Sequence, residues 1–143
     1  MVGKKRIFLD CLGVFPMLRL KDILNYIGQK FRQIGTVYTG SLTTESVQHA
    51  TSTLISQMAV PAGTYIITAN FQWYLSVDCL TIMALYAPDF LGQVRGTMNS
   101  GGGDCVSGVK VLDQPTTIRL YAYQFSGSTV RVADLKFSAI RIK

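Results

Sequence analysis

Three cysteines, one histidine and eight acidic residues are the groups with which this 143-residue chain could do metal, nucleophilic or acid–base chemistry. Cys11, Cys79 and Cys105 show no CxxC spacing and only His49 could join them, whereas a zinc site needs about four Cys or His ligands at close spacing. No metal site follows. An odd cysteine count argues against a disulfide framework, and Cys79, inside the apolar run VDCLTIMALY, reads as a small buried thiol. A nucleophilic triad needs a histidine as base, but His49 lies in the polar stretch ESVQHATST and reads as an ordinary surface or edge residue. Glu45, Asp78, Asp89, Asp104, Asp113 and Asp134 are scattered through turns, without the pairing that two-carboxylate hydrolysis would suggest. The run Asn99-Ser100-Gly101-Gly102-Gly103-Asp104 has the glycine content of a phosphate cradle. It carries no Gly-Lys-Ser/Thr and opens no helix, so no dipole points at an anion. It reads as a hairpin loop at one end of a β-sandwich, with Asn99, Ser100 and Asp104 as candidate ligand contacts. The expectation is a protein that is not an enzyme and has no cofactor.

The charge points the same way once it is divided along the chain. The net charge is +6, but residues 1–35 hold seven basic and two acidic residues and the remainder seven and six. A nucleic-acid-binding body needs a clustered basic face to displace counterions, so no nucleic-acid partner is expected for the head. Any electrostatic partner belongs to the N-terminal segment. A hydrophobic fraction of 48% against 15% charged residues is too apolar for disorder and thin in surface charge, which suggests burial between copies. The opening MVGKKRIFLDCLGVF has the basic-then-apolar order of a signal peptide, but Asp10 interrupts it and no A-x-A-like site follows. Export by this route is therefore not expected, and Met17 is an alternative start for a shorter product. No apolar run reaches the roughly 18 residues of a spanning helix.

One segment has helical periodicity. After Pro16, apolar residues recur at Met17, Leu20, Leu24, Ile27, Phe31 and Ile34, alternating spacings of three and four. That is a heptad seam and asks for a partner helix. Pro16 suits a first turn and Gly35 the position past the end. A single amphipathic helix lying on another surface remains the alternative, and Gly28 inside the segment costs about 1 kcal/mol relative to alanine.

After Gly35 the period becomes two. Tyr65, Ile67, Ala69, Phe71, Trp73 and Leu75 share one face of a strand introduced by Val60-Pro61-Ala62-Gly63. Other strands are expected at 53–60, 80–87, 93–98, 105–112, 116–125 and 129–142, separated by Pro-, Gly-, Asn- and Asp-rich turns. In the last, Val130 and Val132 have the opposite parity to Leu135, Phe137 and Ala139, so a bulge is expected near Ala133-Asp134. Seven or eight strands without intervening helices predict an all-β sandwich or barrel preceded by one N-terminal α-helix. The division is residues 1–35 as anchor segment and helix, and 36–143 as head. Strand 116–125 is apolar on both faces, because Tyr121, Tyr123 and Phe125 alternate with Ile118, Leu120 and Ala122. One face then meets the core and the other a loop or a second copy.

The stretches VPAGTYIITANFQW (60–73), TTIRLYAYQFSGSTVRV (116–132) and the ending FSAIRIK (137–143) resemble the C-terminal head domains of bacteriophage tail-fibre and related virion structural proteins, themselves similar to the tumour-necrosis-factor and complement-head jelly roll (TNF-like). The resemblance implies a jelly-roll β-sandwich that forms a homotrimer around aromatic inner-sheet positions, with Trp73, Tyr121, Tyr123 and Phe125 expected at the interface. It also implies a preceding segment that attaches the head to other virion structural proteins, with Met17, Leu20, Leu24, Ile27, Phe31 and Ile34 as its seam. A tail fibre, head fibre or decoration in the virion, assembled in the host cytoplasm and recognising a host-surface glycan or protein receptor, is the expected role. A secreted carbohydrate-binding or cytokine-like module is the alternative.

Overall fold

The computed structural model describes residues 19–99 and 101–143, with the side chains of Lys30 and Phe31 outside that description. Its contacts separate a unit ending at Ile34 from a unit Gly35–Lys143.

The first unit contains helix α1, Leu20–Gln33. The Arg19 backbone N–H donates to Asp22 Oδ2 at 3.3 Å, the half of a capping box in which the third helical residue reaches back to the cap. At the other end Gly35 adopts φ +82°, the left-handed conformation in which glycine ends a helix without a Cβ penalty. Leu20, Leu24 and Ile27 are exposed along the helix, and Ile34, just past its end, is exposed as well. Pro16 and Met17 lie outside the described residues.

The second unit is a sandwich of two antiparallel sheets built from β1 (Val37–Gly40), β2 (Ser46–Val47), β3 (Thr53–Val60), β4 (Gly63–Tyr74), β5 (Cys79–Tyr86), β6 (Phe90–Met98), β7 (Gly103–Leu112), β8 (Thr116–Gln124) and β9 (Val130–Arg141). One sheet runs β1-β9-β4-β7, with β2 also on β9; the other runs β3-β8-β5-β6. The pairs β2 with β9, β3 with β8, β4 with β7 and β5 with β6 describe one long ribbon folded at the β5–β6 turn and rolled up. That is jelly-roll topology. Strands β1 and β2 are too short, at four and two residues, to leave a readable alternation in the sequence.

The core lies between the sheets, and its largest enclosed side chains are Trp73, Tyr65, Phe71, Ile55, Ile67, Met83, Leu85, Ile118 and Leu120. All six expected inward residues of β4 and its end, from Tyr65 to Leu75, are buried. The anticipated irregularity in β9 is present. Asn70 pairs with Lys136 but Gln72 with Ala133, so Asp134 and Leu135 both face the single residue Phe71, and Asp134 takes φ +55°. The extra residue resets the parity, and Val130, Val132, Phe137 and Ala139 all point inward.

Two residues read from the sequence as surface contacts are core residues instead. Trp73, expected at an intersubunit axis, is completely buried, and its indole N–H donates to Asp104 Oδ2 at 3.0 Å. It has no face left for a neighbouring copy. Asp104, expected in a ligand loop, lies on β7 and is 3% exposed; it also accepts a bond from Thr81 Oγ1 at 3.2 Å. Nor does the glycine run close a hairpin. Strand β6 pairs with β5 and β7 with β4, so the segment crosses between sheets, and Gly101 N and Gly102 O bond to the backbone of Trp73. Asn99 opens this crossing and its carbonyl accepts from Gly102 N, while Ser100 lies outside the described residues.

Candidate functional site

The outward face of the β3-β8-β5-β6 sheet gathers the aromatic residues that the core does not use. Along β8, Ile118, Leu120, Ala122 and Gln124 are buried, which turns Arg119, Tyr121 and Tyr123 outward. Phe125 follows and is exposed. Register then sets their neighbours on β5: Ile82 opposite Tyr123, Ala84 opposite Tyr121 and Tyr86 opposite Arg119. Leu54 of β3 lies opposite Tyr121 from the other side.

These positions form two ends. At one, Phe125 and Leu80 are exposed, Phe125 N bonds to Leu80 O, and the His49 ring stands edge-on to Phe125 with centroids 6.1 Å apart. At the other, Tyr86 meets Tyr121 at 5.5 Å and 84° and Phe90 at 5.6 Å and 71°, the edge-to-face geometry that aromatic quadrupoles prefer. Here Ser52, Tyr86, Pro88, Arg119 and Tyr121 line an open depression of about 200 Å³. Arg119 is half-buried, yet the one salt bridge among the described residues, Arg131 to Glu45 at 2.9 Å, lies elsewhere.

The end of β8 is held by a buried polar residue that sequence reasoning passed over. Gln124 Nε2 donates to Val47 O at 3.0 Å and Ser128 O at 2.6 Å, and its Oε1 accepts from Ser126 N at 2.7 Å. Gly127, at φ +84°, donates its N–H to His49 Nδ1 at 3.0 Å. The Gln-x-Ser-Gly stretch is thus a satisfied turn that fixes Phe125 and His49 together. The alternation of β8 was its only signal in the sequence.

The opposite sheet offers a different surface. Val37, Ile140, Ile66 and Val109 are direct register partners across β1, β9, β4 and β7, and all four are exposed. A second depression of about 300 Å³, bordered by Asn70, Gln72, Cys105, Asp134 and Lys136, lies farther along the same sheet. Cys79 is buried and Cys105 exposed. Among the described residues no three His, Cys, Asp or Glu side chains gather as metal ligands, and no helix is long and apolar enough to cross a membrane.

No protein-family model matches the sequence, and no curated protein matches it. Solved structures do match. The chain of the T13 infectious bursal disease virus particle aligns with TM-score 0.55 and 13% identity over 74% of this chain and 31% of its own. The infectious bursal disease virus VP2 subviral particle aligns with TM-score 0.54 and 14% identity, over 74% and 33%. The chain adopts a β-sandwich fold shared with viral capsid proteins. It spans about a third of the length of those chains, and at such identity the likeness is one of fold. The CBM22-1 xylan-binding domain of Paenibacillus barcinonensis Xyn10C aligns over 97% of its length at TM-score 0.46 and 8% identity.

Proposed function

We propose that this protein is a non-enzymatic structural component of a virus particle, in which a jelly-roll head of the fibre or decoration kind assembles as a homotrimer and meets a glycan or protein on the host surface. Residues 1–35 serve as the attachment to other virion proteins, and 36–143 as the head. The observation that carries this reading is the outward face of β8. Tyr121, Tyr123 and Phe125 stand on the solvent side of a sheet whose other side is already the core, with Tyr123 and Phe125 at the centre of the contact and Tyr121 at its border, lining the depression beside Tyr86. An outward strand face this rich in aromatic side chains matches the centre of a protein interface, where aromatic residues are enriched and charges depleted. At the end of the face around Tyr123, Phe125, Ile82 and Leu80 the charged register neighbour is Arg95, opposite Ile82 on the edge strand β6. Strands β5 and β8 thus leave an apolar centre with the charge to one side, which suits approach to a threefold axis. The resemblance of residues 37–143 to phage fibre heads of TNF-like type supports the same role.

The test is mass in solution. Wild type is expected to sediment as a trimer, and Tyr123→Glu, which sets a charge in the contact, as a monomer of unchanged far-UV circular dichroism. A wild-type monomer, or a trimer that tolerates Tyr123→Glu, would overturn the assembly.

A further inference from the structure

We propose that the depression lined by Ser52, Tyr86, Pro88, Arg119 and Tyr121 binds a carboxylate-bearing sugar. This names the ligand class for the recognition role proposed above and rests on that reading for its multivalency.

Charge makes the first part of the case. The outward positions of this sheet include Leu54, Gln57 and Ala59 on β3; Arg119, Tyr121 and Tyr123 on β8; Ile82, Ala84 and Tyr86 on β5; and Gln93, Arg95 and Thr97 on β6. They contain two arginines and no carboxylate. Arg119 forms no ion pair or hydrogen bond among the described residues, although it is half-buried and five planar donors are available on its guanidinium. Among the charged side chains on this face, Arg119 is the half-buried one, next to Tyr121 and opposite Tyr86, while Arg95 is exposed, so the unengaged Arg119 guanidinium lies inside the depression and is partly withdrawn from water. A planar carboxylate is its best geometric complement, since two parallel N–H bonds then form at once.

Surroundings select a sugar as the carrier of that carboxylate. Two tyrosines and a proline supply apolar ring surface to the lining, and the tyrosine and Ser52 hydroxyls are the donors and acceptors that the lining residues carry beside Arg119. A pyranose presents the matching combination, with C–H groups on one face and hydroxyls around its edge. At about 200 Å³ the depression is smaller than the roughly 300–1,000 Å³ of enclosed small-molecule pockets. It has room for a single ring, and single-site affinity is correspondingly weak. Three copies on one particle raise the apparent affinity by about 10²–10⁴ where the spacing of ligands allows. Nucleic acid is a poor alternative occupant, because two arginines do not form the basic stripe it requires.

The experiment uses the full chain and surfaces coated with polymers displaying glucuronic acid, N-acetylneuraminic acid, their methyl esters, or galactose, with light scattering on the same samples. Expected is binding to one or both acids at least tenfold above the esters and galactose. Arg119→Gln and Tyr86→Ala should each remove at least tenfold of it at unchanged mass, and Arg119→Lys should restore part of the loss. Equal binding of acids and esters, binding unchanged in Arg119→Gln, or an intact trimer that ignores every acid would overturn the site while leaving the assembly standing. Acid-selective, Arg119-dependent binding by a monomer would uphold the site and overturn the trimer.

Discussion

Removing the Asp104 carboxylate is expected to cost more stability than any other single polar change in the head. Its Oδ2 accepts from Trp73 Nε1 at 3.0 Å and from Thr81 Oγ1 at 3.2 Å, joining β4 of one sheet, β5 of the other and β7. Hydrogen bonds to a charged acceptor contribute about 1.5–3 kcal/mol each, and a buried donor left alone costs about 1–3 kcal/mol. Thr81 retains a long bond to Gly96 O at 3.4 Å, whereas the indole N–H has no other partner among the described residues. Release of the carboxylate from a desolvated place offsets part of the loss. Asp104→Ala should therefore destabilise by about 2–4 kcal/mol, a large share of the ~5–15 kcal/mol typical of a domain. Asp104→Asn keeps an accepting oxygen and should lose about half as much. Urea unfolding followed by far-UV circular dichroism measures both, with the slope expected to stay constant. Adding Trp73→Phe completes a cycle whose coupling should be about 1–2 kcal/mol. A loss under about 0.5 kcal/mol in Asp104→Ala, or a coupling near zero, would refute the account of this polar link.

Deleting residues 1–34 should leave a folded head that no longer joins the particle, and Leu24→Asp or Ile27→Asp should weaken joining; cosedimentation with particles reads both, and a truncated head that still joins would refute the division of labour. Gly40→Ala places a Cβ 2.5 Å from Phe137 Cδ1 and Ser56 Oγ, so thermal unfolding should show a loss of about 1–3 kcal/mol from overpacking. Burial pushes the Tyr65 phenol up, with Arg141 opposing and Tyr38 adding. Because the folded value then lies above the unfolded value of about 10, its contribution to stability is complete below that pH and is lost as pH rises through the folded value. Tyr65→Phe should flatten the alkaline fall in a stability–pH series, at the cost of the 2.8 Å bond to Pro61 O.

Much of this molecule was legible in one dimension. Period-two patterning located β3 to β9 within a few residues, because each strand is long enough to bury one face and so must alternate. The parity conflict in β9 located the bulge at Asp134, since only an extra residue lets Val132 and Phe137 share the core. Gly35 marked the helix end because the left-handed cap there favours glycine. What the sequence does not contain is which strands pair and in what register. Trp73 and Asp104 are 31 residues apart and read separately as an aromatic interface residue and a loop acid; folding β7 beside β4 makes them one buried hydrogen-bonded pair. Val37, Ile66, Val109 and Ile140 are far apart in the sequence, and only strand register turns them into a continuous row. Tyr86, Arg119 and Tyr121 likewise become a site only because β5 and β8 lie side by side. Alternation is a local property of the chain, fixed by burial of one face, whereas pairing depends on loop closure and on the packing of two whole sheets.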